Sequence, residues 1–208
     1  MSLIRSFTIM NSINVQQEKK IKQCARLSKY IYNVPSEVLI NETKNALIIT
    51  IEGTDTFSNW IDNFSIGLKK NDIHKGFFRY STYCIRKYNL INVIKKNKKP
   101  LYICGHSLGA AAATVILFKL AVYLQDVECY LILFGSPKPG GKQFSNEFQK
   151  QLPNLHIYNY QNPKDLVCKL PCLVGYSHIS QNIHFIQNMY FICNILKNHD
   201  MDTYIDGI

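Results

Sequence analysis

The chain is short of several things at once, and each shortage removes a class of protein. No apolar run approaches the roughly eighteen residues that a membrane-crossing helix needs. The N-terminal Leu3-Ile4-Arg5-Ser6-Phe7-Thr8-Ile9-Met10 is interrupted by an arginine and has no convincing cleavage site, so an unsecreted protein, cytoplasmic or peripheral to membranes, is expected. The 7 cysteines are an odd number with no C-x-x-C pair, which excludes a scaffold that uses every thiol in a disulfide and points to a reducing compartment. Cys168, Cys172, His178 and His184 lie too close in sequence for a finger to fold between two pairs, so no metal is expected. Acidic residues are scarce, 14 against 24 basic, for a net charge of +10, and arginine is scarcer still. Without any DNA- or RNA-reading signature, nucleic acid is not an expected partner; an attraction to anionic phospholipid is. Glycine-rich phosphate loops are missing too. Gly140-Gly141-Lys142 would need a glycine at Ser136 and a hydroxyl residue at Gln143, so no nucleotide is expected.

What is present is one informative stretch. Leu101-Tyr102-Ile103-Cys104 are strand formers, Gly105-His106-Ser107-Leu108-Gly109 has the form G-x-S-x-G, and Ala110 to Ala113 open a helix. A serine on such a strand-to-helix turn sits in strained backbone with its hydroxyl thrust out at the end of a sheet. Its neighbours must be small because strand and helix approach closely there.

The 208 residues, 47% of them hydrophobic, fit one domain spanning 1–208. Periodicity predicts helices over 17–31, 77–94, 107–124 and 142–152, a hairpin from 38–40 and 46–51, and strands at 102–104, 129–134 and 155–160. Alternation of strands and helices implies α/β architecture: a mainly parallel central sheet with helices on both faces and an antiparallel N-terminal hairpin. The lysine run Lys95 to Lys99 then falls at the end of the sheet opposite Ser107.

A serine nucleophile needs a base and an acid to orient it, in the chain order Ser, Asp or Glu, His for this kind of fold. Functional groups in parallel sheets collect beyond the carboxyl ends of the strands. Asp126 and Glu128 lie at the wrong end and Glu147 lies within a helix. Asp165 follows the strand at 155–160 by a short loop and is the candidate acid, its ordinary alternative being a loop cap. Among later histidines, His184 reads as a strand-face or core residue. His199, in the helix-boundary sequence Asn198-His199-Asp200, is expected on an accessible loop and is preferred over His178, which stays open on these grounds.

These residues, in this order, resemble the class 3 lipases of the α/β-hydrolase superfamily, the group typified by fungal triacylglycerol lipases. The likeness runs from roughly residue 20 to the end. Ala25-Arg26-Leu27-Ser28 with Tyr30 or Tyr32 is similar to the family's N-terminal helix, Gly53-Thr54 to its oxyanion turn, and Asn59-Trp60-Ile61-Asp62 to its lid. His74-Lys75-Gly76-Phe77, Gly105 to Gly109, Phe134-Gly135-Ser136-Pro137 and Asn162-Pro163-Lys164-Asp165-Leu166-Val167 match in order. Gly175-Tyr176-Ser177-His178 resembles a noncatalytic segment, and His199 the terminal catalytic histidine. Glu52 departs from the arginine common before the Gly-Thr turn, and the stretch from His178 to His199 is short.

The resemblance implies a serine hydrolase cleaving carboxylic esters of lipids through Ser107, Asp165 and His199, with Thr54 and Leu108 as oxyanion donors and no metal or organic cofactor. The alternatives are a catalytically inactive lipid-binding homologue, an esterase or thioesterase for soluble acyl esters, and a peptidase with the same triad. Phe57, Trp60, Ile61 and Phe64 recur at i, i+3, i+4 and i+7, so a lid helix at about 56–66 is expected to turn one apolar face to lipid. Partners implied are a lipid ester substrate and, transiently, a membrane or lipid-droplet surface.

Overall fold

The computed structural model describes residues 15–54, 71–172, 174–180, 183–186 and 195–208. The expected lid segment, with Phe57, Trp60, Ile61 and Phe64, lies outside the described residues. Six strands form the central sheet, neighbouring one another as β1 (Val38–Glu42), β2 (Leu47–Ile51), β3 (Leu101–His106), β4 (Cys129–Phe134), β6 (Leu155–Gln161) and β8 (Ile183–Phe185). β1 pairs antiparallel with β2 and the remaining neighbours are parallel, as the sequence pattern implies. A two-stranded ribbon of β5 (Gly140–Gly141) and β7 (Tyr176–Ser177), which periodicity does not reveal, stands apart from it.

The described helices are α1 (Val15–Tyr30), α2 (Lys75–Lys87), α3 (Leu90–Lys96), α4 (Leu108–Leu120), α5 (Lys142–Gln151), α6 (Ile195–His199) and α7 (Met201–Asp206). They cover both faces because the inner strands are apolar on both. Leu101 and Ile103 of β3 enter a core with residues of α2 to α5, whereas Tyr102 and Cys104 enter a second core with residues of α1 and α7. Period-two alternation thus deals successive side chains to opposite layers. α4 is buried around nearly its whole circumference, and its alanines let it lie close to the sheet while Ser81 of α2 bonds the Ala112 carbonyl from the other side.

Where one helix is expected over 77–94, two are found. α2 ends at Lys87, and Asn89 takes left-handed backbone (φ 48°, ψ 42°) before α3 begins. Asparagine tolerates that conformation better than most residues. The turn also aims Tyr88 away from the helix path, where its hydroxyl bonds Glu37 just before β1.

Parallel pairing brings four carboxyl ends to one edge. Ile51 stands opposite Gly105, His106 opposite Phe134, and Phe134 opposite Tyr160. The chain leaves this edge as Glu52-Gly53-Thr54, Ser107, Gly135 and Asn162 to Asp165, so the candidates scattered over 112 positions of sequence meet in one place.

Candidate active site

Ser107 links β3 to α4 with φ 56° and ψ −125°, a strained conformation for a residue with a side chain. The strain is enforced by close packing. A Cβ on Gly105 would lie 2.5 Å from the Gly109 carbonyl carbon, and one on Gly109 would lie 2.2 Å from the Ile51 carbonyl oxygen. Backbone meets backbone at both, so only glycine fits, as the motif predicts. The Ser107 hydroxyl is buried, with no hydrogen-bond partner among the described residues. Leu108, the first residue of α4, has an N–H with no carbonyl to bond within the helix.

Asp165 is fully buried in the loop after β6. Its Oδ2 accepts from His199 Nδ1 at 2.7 Å and from the Tyr204 hydroxyl at 2.6 Å, with the Cys168 thiol at 3.5 Å. Its Oδ1 accepts from the Val167 N–H at 2.8 Å. Several donors thus converge on one buried carboxylate. Burial, followed by the charges of its neighbours, pushes the Tyr204 hydroxyl well above its ordinary pKa, so it remains a donor. Gly135 forms the floor: it has φ 58°, and a Cβ there would stand 3.1 Å from Asp165 Oδ2 and 3.2 Å from His199 Cε1.

His199 ends the five-residue helix α6 rather than lying on an open loop, and its side chain is 13% exposed. The shift is explained by what holds it. The Asn198 carbonyl accepts from Asn162 Nδ2 at 2.9 Å, and the His199 carbonyl lies 2.7 Å from His106 Nε2. The other histidines lie elsewhere. His178 Nε2 donates to the Cys168 carbonyl at 2.9 Å, bracing the loop that carries Asp165. His184, on β8, stacks on Tyr158 and Tyr160. His74 caps α2, its Nδ1 accepting from Gly76, and burial lowers its pKa to about 4.

Thr54 leaves the sheet at the same edge as Ser107. Glu52 before it is fixed through its backbone, its N–H donating to the Glu37 carbonyl and its carbonyl accepting the Tyr80 hydroxyl. Gly53 presses against the His106 carbonyl and the Tyr32 hydroxyl, with 2.8 Å and 2.0 Å from a virtual Cβ. Tyr204 and Cys168 belong to this cluster, as do Tyr32 and His106, and no sequence pattern marks these contacts.

A mainly parallel sheet covered on both faces, with a strained serine after its central strand and a buried aspartate–histidine pair beyond the neighbouring ends, defines an α/β-hydrolase. Residues 48–175 match the family described as lipase (class 3), and the chain belongs to that family. It is 30% identical over 155 residues to a secreted mono- and diacylglycerol lipase 1 of Fusarium solani, an overlap of 69% of this chain and 45% of that protein. It is likewise 30% identical over 135 residues to a phospholipase A1-II 1 of Oryza sativa subsp. indica, covering 59% of this chain and 34% of that one. The chain thus spans less than half the length of either relative. A Rhizomucor miehei lipase, solved as its propeptide complex, superposes with a TM-score of 0.66 at 18% identity, over 83% of this chain and 69% of that one, and shares the fold.

Proposed function

We propose that the chain, as one hydrolase domain, cleaves carboxylic esters of lipids by acyl transfer to Ser107. The observation that carries this reading is the buried Asp165–His199 hydrogen bond of 2.7 Å at the sheet edge where Ser107 emerges. With Nδ1–H given to Asp165, the neutral ring presents Nε2 as the base. As Ser107 Oγ attacks the ester carbonyl carbon, its proton passes to His199 Nε2, and Asp165 stabilises the resulting imidazolium. The oxyanion is met by the N–H of Leu108 and by Thr54 through its N–H and hydroxyl. The C–O bond to the alcohol then breaks, the alcohol takes the proton from His199, and an acyl-serine remains. Water, deprotonated by the same ring, releases the acid.

Lipid as the substrate class is supported by family membership and by the acylglycerol and phospholipid activities in the names of its relatives. No helix among the described residues is long and apolar enough to cross a membrane. Access to lipid therefore falls, in this reading, to transient contact with a membrane or droplet surface through the apolar residues Phe57, Trp60, Ile61 and Phe64. The test is hydrolysis of short- and long-chain acyl esters together with covalent labelling by a fluorophosphonate. Ser107→Ala is expected to lose on the order of 10⁶ in rate and all labelling with its fold unchanged. Hydrolysis at wild-type rate in that variant refutes the assignment.

A further inference from the structure

His106 is buried beside the proposed triad, yet no step of acyl transfer uses it. Its Nε2 lies 2.7 Å from the backbone carbonyl oxygen of His199. A carbonyl only accepts, so Nε2 carries the ring proton. Nδ1, 2.9 Å from the Tyr32 hydroxyl, is then the acceptor, and the tyrosine donates to it. Both nitrogens of a neutral ring are thereby used. The ring also packs on His199, centroid to centroid 4.5 Å, and on the edge of Tyr204 at 5.8 Å. Burial pushes the His106 pKa well below its ordinary value, with the neighbouring His199 adding to the effect, so the ring stays neutral.

The far end of this chain of contacts is equally constrained. The Tyr32 hydroxyl sits against Gly53, where a Cβ would come within 2.0 Å of it. Tyr32 is therefore wedged between the turn that presents Thr54 and the ring that meets His199. At the near end, α6 has only five residues, and its last carbonyls have no partners within the helix. They are taken one by one: Lys197 by Thr203 Oγ1 at 2.7 Å, Asn198 by Asn162, and His199 by His106. Asp165 grips the imidazole of His199 at a single nitrogen, which leaves the ring's backbone anchor to be set by something else.

We propose that His106, oriented by Tyr32, is the positioning residue for His199, its Nε2–H fixing the carbonyl of the residue whose imidazole must reach both Asp165 and Ser107. This inference rests on the hydrolase reading above. The Tyr32–His106 link also ties the oxyanion turn and the base to one another, so that donors and base keep their separation.

Side-chain replacements separate the two hydrogen bonds. Glutamine at 106 places an amide N–H near the position of Nε2 and keeps the bond to His199. Asparagine is too short for that and reaches only toward Tyr32. With a misplacement of about 1 Å costing on the order of 10² in rate, His106→Leu and His106→Asn are expected to lower kcat about 100-fold with KM changed less than about threefold. His106→Gln is expected within about threefold of wild type, and Tyr32→Phe about tenfold down. In [15N]histidine-labelled wild-type protein, NMR should show His106 protonated at Nε2 and bare at Nδ1. If His106→Leu does not fold, the asparagine and glutamine variants and the NMR tautomer decide the matter. Glutamine as impaired as asparagine, a loss confined to KM, or an Nδ1–H ring each overturns the proposal while leaving the hydrolase reading intact. A wild-type chain that neither hydrolyses esters nor takes the fluorophosphonate overturns both.

Discussion

Ser107 and His199 arrive at the same edge of the sheet by different physics. The serine is placed by exclusion of volume: glycines at 105 and 109 bring backbone against backbone, four alanines seat α4 on the sheet, and the turn has one way to go. The histidine is placed by polar bonds reaching across long stretches of chain, from His106, Asn162 and Asp165, onto a helix of five residues. A site built by sterics fails with the fold, whereas one built by hydrogen bonds fails in rate while the fold survives. The comparison teaches that the two halves of the proposed active site need not share a stability.

The sharpest way to break the comparison is Gly109→Val. Its side chain would meet the Ile51 carbonyl oxygen at 2.2 Å and the Glu52 carbonyl carbon at 2.8 Å, backbone atoms that cannot swing aside. Loss of soluble, folded protein by circular dichroism is expected, with activity lost as a consequence. On the other half, Asp165→Asn should leave the circular dichroism spectrum intact and lower kcat by about 10⁴, because an amide N–H facing His199 Nδ1 moves the ring proton to Nε2. An Asp165→Asn chain that fails to fold would show that this carboxylate, too, is structural.

A smaller effect is expected from Tyr204→Phe. It deletes the 2.6 Å bond to Asp165 and leaves the Asn162 N–H, now 3.2 Å from the tyrosine hydroxyl, without its acceptor. The estimate is about 1–3 kcal/mol of stability and about a tenfold drop in kcat, from denaturant melts and initial rates. Cys168→Ala removes a weak thiol donor at 3.5 Å and should change kcat less than about threefold.

The smallest effect lies away from the site. Glu37 joins the start of β1 to α2 by accepting from Lys87, Tyr88 and Tyr83, and these bonds, Lys87 first, hold its carboxyl at about 2 instead of 4.5. Its folded pKa is depressed, so its contribution is present above about 4.5 and is lost as pH falls from there toward 2. Glu37→Gln should flatten the thermal-melting curve against pH in that interval, lowering the melting temperature by a small constant amount near neutrality and converging on wild type as pH approaches 2.

The same division explains which parts of the fold and of the site are legible in the sequence. Steric demands appear as residue types in a row, so the elbow, its strand and its helix were legible, as was a mainly parallel sheet entered through an antiparallel hairpin. Asp165 was reachable by topology alone because the loop after β6 leaves the sheet at the right end. Between His178 and His199 the local sequence expressed only a preference, and it took resemblance to decide. Nothing in sequence announces Tyr204, which meets Asp165 across 39 positions, or the meeting of Tyr32 with His106 across 74. The break at Asn89 leaves no mark because the apolar period of 77–94 continues through it, and the strand expected at 102–104 extends further because Gly105 and His106 look like turn yet still pair with β4.

Lys29 of α1 and Asp202 of α7 form an ion pair across 173 positions, and the two helices close the second core together. This places a clock inside the molecule. A growing polypeptide has its Ser107 turn long before residues 199–206 exist, and at about 5–20 residues per second the remaining hundred or so take roughly 5–20 s to appear. Through that interval the serine has no base, and α1 has nothing to lie against on its far side. On the proposed assignment, hydrolytic competence does not accumulate with length. It switches on only when α6 and α7 dock.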